Sequence, residues 1–495
     1  MMTHPGQFLI LKKTLSLPGW QTLSLSDGWV LNYHEKLKVF SLPRHGLLLL
    51  GLAWQVLPGK ASPEQALTAL SESTDGPITD EALMELEESW CGRYVLISGG
   101  HVFTDACALL PVFHAPAGLA SDLTLLAEAS GLGAKVYEPG RVMNWMPGPM
   151  TPYAEITRVM PDQIYCLDTG ETLARPLVSA SRPKVSDEER VRLFADLFAN
   201  SLRNMRDKLS DRKLLLALTG GYDSRAVFAL AKYAGLEFEA FTLEYDGIYA
   251  DDVTLPKELC RLTGIKHRYI PRDHSRYSAA LENEYLRHTA GLIRDADRLS
   301  YAHGQYQELT EDGSQAALLR GSIWETAVDF YGRSFDRNGP KADFYDWFCV
   351  PEKSREKQSL DQYFDWQKQH PQPGLSPCDE FYWQQRAACW MSPIEAGFDL
   401  LENAVSVQPL NCRLLISMLL DFPFAERVTK EHQAKIIRYA CPAIAETPFG
   451  GKATVDETAL SVLLYKLKRL GYRIKTRGLR HTLSLYVSMV KKKRK

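Results

Sequence analysis

Up to about position 180 the apolar residues come in short runs, some continuous and some alternating with polar ones. Residues 46–57 ("GLLLLGLAWQVL"), 93–106 ("RYVLISGGHVFTDA") and 163–177 ("QIYCLDTGETLARPL") read as strands, the last two broken by Gly-Gly and Thr-Gly turns. Between them, "SPEQALTALSES" and "TDEALMELEESW" have the look of helices. The texture then changes at 179–190 ("SASRPKVSDEER"), a polar stretch with one Pro that ends in Ser186-x-x-Glu189, the pattern of a capping box. A long helical pattern follows to Leu209, so a domain boundary is expected near 180–186. Next come strand "KLLLAL", helix "SRAVFALAKYAG" closed by Gly235, strand "FEAFTLEY", helix "TLPKELCRLTG" and strand "HRYIP". That alternation predicts a parallel sheet with crossover helices. Beyond 275 the chain reads as mainly helical and aromatic, with 354–380 as a long surface excursion and Tyr382, Trp383, Trp390 and Phe398 as core.

One break in this pattern raises a chemical question. The apolar strand stops at Thr219-Gly220-Gly221, and a helix resumes after Asp223-Ser224. A plain strand–helix turn uses Gly-Gly for geometry and Asp-Ser as a cap. A phosphate cradle uses the same residues differently. Glycines let an anion approach the main chain, Thr219 and Ser224 offer hydroxyls, and the helix N-terminus offers free N–H groups. Asp223 would repel phosphate, so its role there is to hold a Mg2+ that bridges the phosphates. The flanking strand and the α/β succession favour the cradle. There is no Lys in the loop and its spacing is too short for the G-x-x-x-x-G-K-[ST] motif.

Composition narrows the class. At 495 residues, with 45% hydrophobic and 24% charged residues, two soluble globular domains are expected. Net charge is −2, which argues against a general nucleic-acid binder, but the charge is uneven. Residues 461–495 carry twelve Lys or Arg and no acid, which leaves −14 for the rest. This basic tail reads as solvated, with a weak contact to an anionic surface as the alternative. The nine scattered cysteines, with no C-x-x-C, suggest reduced structural thiols and argue against a zinc site. The N-terminus lacks the order of a secretory signal, and no run reaches the roughly 20 apolar residues of a membrane span. A cytoplasmic location is expected.

The "LTGGYDS" stretch resembles the S-G-G-x-D-S pyrophosphate loop of the asparagine synthetase family, with Thr219 in place of Ser. The resemblance extends to residues 241–271, with His267 at the family's "lgt-x-H" position, and to 407–423 and 430–444. Upstream, 90–115 is similar to a hairpin of the family's glutaminase-like domain. It implies an α/β protein of two domains. An N-terminal glutaminase-like (Ntn-type), sheet-rich domain would span 1–180. A PP-loop α/β adenylation domain with a large helical part would span 186–455, and a basic helical tail 456–495.

The resemblance also implies ATP and Mg2+ as cofactors, a carboxylate activated as an acyl-adenylate with release of pyrophosphate, and attack by an amine. Leu218, Thr219, Gly220, Gly221, Asp223, Ser224, Leu243 and Gly321 would line ATP, with Asp223 and Glu325 on the metal. The carboxylate substrate could be a small molecule, a sugar acid or a peptide.

Two departures shape the expectation. Glutamine-using relatives carry a cysteine directly after the initiator Met, whereas this chain begins Met1-Met2-Thr3-His4 and its first cysteine is Cys91. An inactive glutaminase-like fold is expected, similar to that of β-lactam synthetase and the lasso-peptide cyclases, with Thr3 a remote alternative nucleophile. The second departure is "LLRGSIWETAVDFYG", which stands where the family has "L-x-T-G-D-G-G-D-E-L-F-G-G". Glu325 falls on the metal-binding Asp, Ile323-Trp324 replace Gly-Gly, and Arg320 becomes a candidate grip on phosphate or carboxylate.

Lys452, in "ETPFGGKATVDE", stands where the family has its catalytic lysine. Lys435 and Arg438 form a second basic pair. Arg225 reads either as a surface arginine or as a reader of an acidic substrate, and Asp251 and Asp252 as loop acids that could assist a metal or amine. A non-catalytic nucleotide-binding protein and a thiolation enzyme acting on nucleic acid are the competing readings. Charge and the lack of paired cysteines count against the latter.

Overall fold

Period-two alternation sets the layers of the first half. Phe8 and Ile10 of the strand Phe8–Leu11 pack with Leu31, Leu48, Leu50, Val95 and Ile97. Their neighbours Leu9 and Leu11 pack the other way, with Leu123, Leu126 and Met146. In the strand Leu47–Gln55, Leu48 and Leu50 face that shared core while Leu47 and Leu49 meet Leu67 and Leu83. Those two leucines belong to the helices Pro63–Ser73 and Asp80–Glu87. The result is two six-stranded antiparallel sheets face to face, with helix Leu123–Ala129 outside one and the two helices outside the other. The computed structural model describes residues 4–132, 135, 143–245, 250–273, 275, 278–293, 296–332, 335–336, 339–450, 470 and 474.

The second half opens with helix Asp187–Lys208, where the Ser186 hydroxyl accepts from Glu189 N as the capping pattern predicts. The strands expected at 213–218, 238–245 and 267–271 form as Lys213–Ala217, Glu239–Leu243 and His267–Ile270. Two more, Ala316–Leu319 and Ala404–Val407, complete a five-stranded parallel sheet. The Lys213 strand lies at its centre, between the Glu239 and Ala316 strands. Leu214 and Leu216 face one core while Leu215, Phe241 and Leu318 face another. Chain order reverses at the central strand, the place where open α/β sheets bind ligands in the crevice outside the carboxyl ends of their strands.

The two halves share their largest core. Trp54, Cys91 and Leu109 of the first pack in one cluster with Phe194, Leu216, Trp324 and Leu415 of the second. Polar bonds also cross: Trp54 Nε1 donates to Ser201 Oγ (2.8 Å), and Arg93 forms a two-point bridge to Asp399 (2.5 and 2.8 Å). Asp105, buried, accepts from the N–H groups of Cys107, Leu109 and Leu110 and from Asn411 Nδ2 (2.8 Å). The two sequence segments are thus one continuous packing unit.

One expectation fails here. Residues 354–380 are not a surface excursion throughout: helix Arg355–Gln369 buries Leu360 and Tyr363 against Phe344 and Phe381. The apolar i, i+3 pair is masked in the sequence by the charged residues around it. Of the four aromatics expected in the core, Trp383, Tyr382 and Phe398 are buried and Trp390 is half-buried at its edge. The nine cysteines are thiols, all but Cys349 buried, and among the described residues no helix is long and apolar enough to cross a membrane.

Replacing Asn411 by Ala removes a bond to a buried carboxylate and another to Gly92 O (2.5 Å). Urea unfolding should show a loss of about 2–3 kcal/mol at unchanged m-value.

Candidate functional site

The break after the central strand becomes a loop, Leu218–Gly221, running into helix Tyr222–Tyr233. Gly221 is the N-cap and no side chain caps the helix, so the first-turn N–H groups are not taken up by a capping side chain. Thr219 and Ser224 hydroxyls lie 3.0 Å apart, and Ser224 Oγ accepts from Thr219 N (3.0 Å). Gly220 N donates to Asp252 Oδ1 (2.8 Å), so that carboxylate sits on a loop N–H. A side chain at Gly220 would meet Asp251 O at 2.8 Å, which explains the glycine.

Neighbouring elements anchor the loop from three directions. Leu218 N donates to Phe241 O (2.8 Å), and Leu218 O accepts from the Thr242 hydroxyl (2.8 Å). That hydroxyl has spent its only proton, so the contact with His267 Nε2 (3.0 Å) is a bond donated by the imidazole. Burial holds the His267 pKa below its ordinary value. Leu243 ends the adjacent strand, half-buried. From below, Arg225 reaches Gly220 O (3.0 Å), Thr447 O and Pro448 O (both 2.8 Å). It has no exposed surface and lies over the Phe449 ring at 4.2 Å. Burial pushes its pKa down to about 10. Arg225 is therefore neither a surface arginine nor open to an acidic substrate. Phe449 also stacks on Tyr222 (centroids 3.7 Å, planes 5° apart), and Gly450 N donates to Gly220 O (2.9 Å).

Across the crevice, the loop after the Ala316 strand brings Gly321 against this one. A Cβ there would come within 2.9 Å of the Asp223 carbonyl carbon and 3.0 Å of Ser224 N. Glu325 follows in the short turn Trp324–Ala327, its Oε2 accepting from the Tyr382 hydroxyl (2.8 Å). Trp324 is fully buried beside Phe194 and Phe198, so the Ile-Trp replacement packs into the core rather than lining the crevice.

Asp223 and Glu325 flank a single ammonium. Lys430 Nζ lies 3.5 Å from Asp223 Oδ1 and 3.7 Å from Glu325 Oε1. Burial raises the Asp223 pKa to about 6 against the pull of Lys430, with the Glu325 charge adding to the rise. Two carboxylates gathered on one cation beside a glycine loop are a donor set that suits Mg2+.

Other candidates sit elsewhere. Arg320 is turned to the buried Glu395 (2.5 Å), which also accepts from Gln408 Nε2 (2.8 Å). Lys435 pairs with Glu426 (2.5 Å), and Arg438 is exposed beside Glu431 (3.9 Å). Thr3, Lys452 and the basic tail lie outside the described residues, apart from positions 470 and 474. The sequence reading gave no site role to Lys430, nor to Tyr382, which it placed in the core. Lys430 sits between two helices with a φ of +62°, and only its place at a helix boundary hints that its side chain turns inward.

No family model and no curated protein matches the chain. Among solved structures, it is similar to a glutamine-dependent NAD+ synthetase from Acinetobacter baumannii, with 14% identity over 36% of this chain and 32% of that one and a TM-score of 0.23. An NMN synthetase from Francisella tularensis matches with 18% identity over 49% and 97% of the two chains, TM-score 0.22. A U34-tRNA thiolase from Methanococcus maripaludis matches with 14% identity over 57% and 92%, TM-score 0.23. The chain spans only 32% of the first of these. Likenesses this weak carry no argument about function, and none of the three is an asparagine synthetase.

Gly321→Ala forces a methyl group into the Asp223–Ser224 backbone. Urea unfolding should show a loss of about 1–3 kcal/mol, because the two loops must part to admit it.

Proposed function

We propose that the chain is a Mg2+- and ATP-dependent ligase that activates a substrate carboxylate as an acyl-adenylate and joins it to an amine, without hydrolysing glutamine. One geometric fact carries most weight: Asp223 and Glu325, a hundred positions apart in the chain, share one cation beside an uncapped helix N-terminus. A plain turn with a capping Asp would need no second carboxylate. Bound Mg2+·ATP would supply the electrophilic phosphorus and the pyrophosphate leaving group.

The chain's own residues do the rest. Gly220 and Gly221 let phosphate approach the main chain, and Thr219 and Ser224 hydroxyls with the first-turn N–H groups of the helix bind its oxygens. Asp223 and Glu325 hold the metal. The buried Arg225 charge lies under Gly220, where it favours an anion above the loop. Lys452 is the candidate for steadying charge in the amide-forming step. The segment leading to it is tied to the loop through Gly450. Leu243 and Gly321 border the nucleotide. Arg320, turned to Glu395, is better suited to shaping the substrate side than to gripping phosphate.

A reaction without glutamine hydrolysis needs no thiol nucleophile. Cys91, the first cysteine, is buried, and burial raises its pKa well above the ordinary value. The amine would come from the substrate itself, a second molecule or ammonia.

A second reading, a nucleotide-binding protein without turnover, draws support from Lys430. An ammonium already between the two carboxylates could stand in for the metal permanently. The two readings separate in an assay of AMP and pyrophosphate from ATP with Mg2+ and a panel of carboxylates and amines. Ligase activity should appear with particular substrate pairs and fall at least about 100-fold in Asp223→Ala and in Glu325→Ala. ADP and phosphate as products would rule out adenylation. ATP binding with no pyrophosphate from any pair would favour the second reading.

A further inference from the structure

A second cluster of ligand-type side chains lies away from the crevice, buried between the two halves. His4, Asp122 and His288 are each at most 5% exposed, and one potential ligand atom from each lies within 4.8 Å of the others. Both imidazoles converge on one oxygen: Asp122 Oδ2 is 3.0 Å from His4 Nδ1 and 3.1 Å from His288 Nδ1. The other carboxylate oxygen, Oδ1, is occupied by Leu125 N (2.8 Å) at the start of helix Leu123–Ala129, which fixes the direction of Oδ2.

His288 carries the argument. Its Nε2 is 2.7 Å from Ala396 O, and a carbonyl can only accept, so the ring proton belongs on Nε2. Nδ1 then faces a carboxylate oxygen 3.1 Å away, a contact that requires positive charge. That charge is either a second ring proton, which burial opposes but Asp122 favours by raising the His288 pKa, or a cation bound between the two atoms. A ring N–H held by a carbonyl, with the opposite nitrogen facing a carboxylate and a second imidazole, is the outer-shell arrangement of metal-ligating histidines. Beside His288 lies a cavity of about 20 Å³, room for one water; Ser121, Thr289 and Ser392 line it among mostly apolar residues, and Asp122 and His4 do not.

We propose that His4 Nδ1, Asp122 Oδ2 and His288 Nδ1 form a structural site for a divalent transition metal, with Zn2+ the best match to two imidazoles and one carboxylate and water as a fourth ligand. None of the nine cysteines takes part, so the site is invisible to a search for cysteine spacing. The metal clips the N-terminal segment to the Asp122 helix and to the end of helix Ala279–His288 in the second half. Any proton on either Nδ1 leaves to solvent as the metal binds. The site is independent of the nucleotide reading.

The full-length protein is stripped with EDTA, equilibrated with Zn2+, passed into metal-free buffer and analysed by mass spectrometry for metal, beside His4→Gln and His288→Gln. About one zinc per chain is expected in the wild type, with affinity lowered at least about tenfold in each variant. Co2+ in place of zinc should give the wild type a visible spectrum of a four-coordinate nitrogen–oxygen site, a readout that needs no variant. A wild type that keeps no zinc and gives no such cobalt spectrum overturns the proposal and leaves a proton between His288 and Asp122. Folded variants that bind zinc as tightly as the wild type overturn it equally.

Discussion

A guanidinium with no exposed surface holds the glycine loop in position. Arg225 bonds three backbone carbonyls, of Gly220, Thr447 and Pro448, and among the described residues it pairs with no carboxylate. A charge buried among carbonyl dipoles is costly unless those dipoles stay aimed at it, so the three carbonyls are locked together. Through Gly220 this fixes the loop. Through Thr447 and Pro448 it fixes the segment that carries Phe449 onto Tyr222 and Gly450 onto Gly220. Loop, first helical turn and residues 447–450 are thus tied together around a single side chain.

The other side of the crevice is set by sheet order. Because the central strand lies between the Glu239 and Ala316 strands, the loops leaving the Lys213 and Ala316 strands emerge side by side. Gly321 allows the second loop to touch the backbone of the first, and Glu325 follows one turn later, steered by Tyr382. Asp223 and Glu325 repel each other across that gap, which is part of why the Asp223 pKa rises. Lys430 relieves the repulsion as the protein stands. A divalent ion would relieve it further, and the balance between lysine and metal is the main electrostatic question the site poses.

Local pattern made part of this legible. An apolar run stopped by two glycines and restarted as a helix marks the loop at Thr219–Ser224, and the alternation of strands and helices gives three of the five parallel strands. The strands Ala316–Leu319 and Ala404–Val407 are only four residues each and sit among helices, so periodicity could not separate them from helix. Arg225 looked exposed because a charged residue in a helix usually is; what buries it is a segment more than two hundred residues later. Lys430 and the Arg320–Glu395 pair were illegible for the same reason, since each depends on a partner remote in sequence. The His4, Asp122 and His288 cluster joins three distant segments and leaves no spacing to read.

The most direct test of the account is calorimetric titration of ATP into the protein with and without Mg2+, from about pH 5 to about pH 8, for the wild type and Asp223→Asn. Burial lifts the Asp223 pKa to about 6, above its ordinary value, so the carboxylate is protonated below that point and available to a cation above it. Mg2+ should therefore strengthen ATP binding in the wild type only as the pH rises through about 6, and the gain should be missing in the variant. Binding that ignores Mg2+ at every pH, or no binding of ATP at all, would contradict the assignment of this crevice as a metal–nucleotide site.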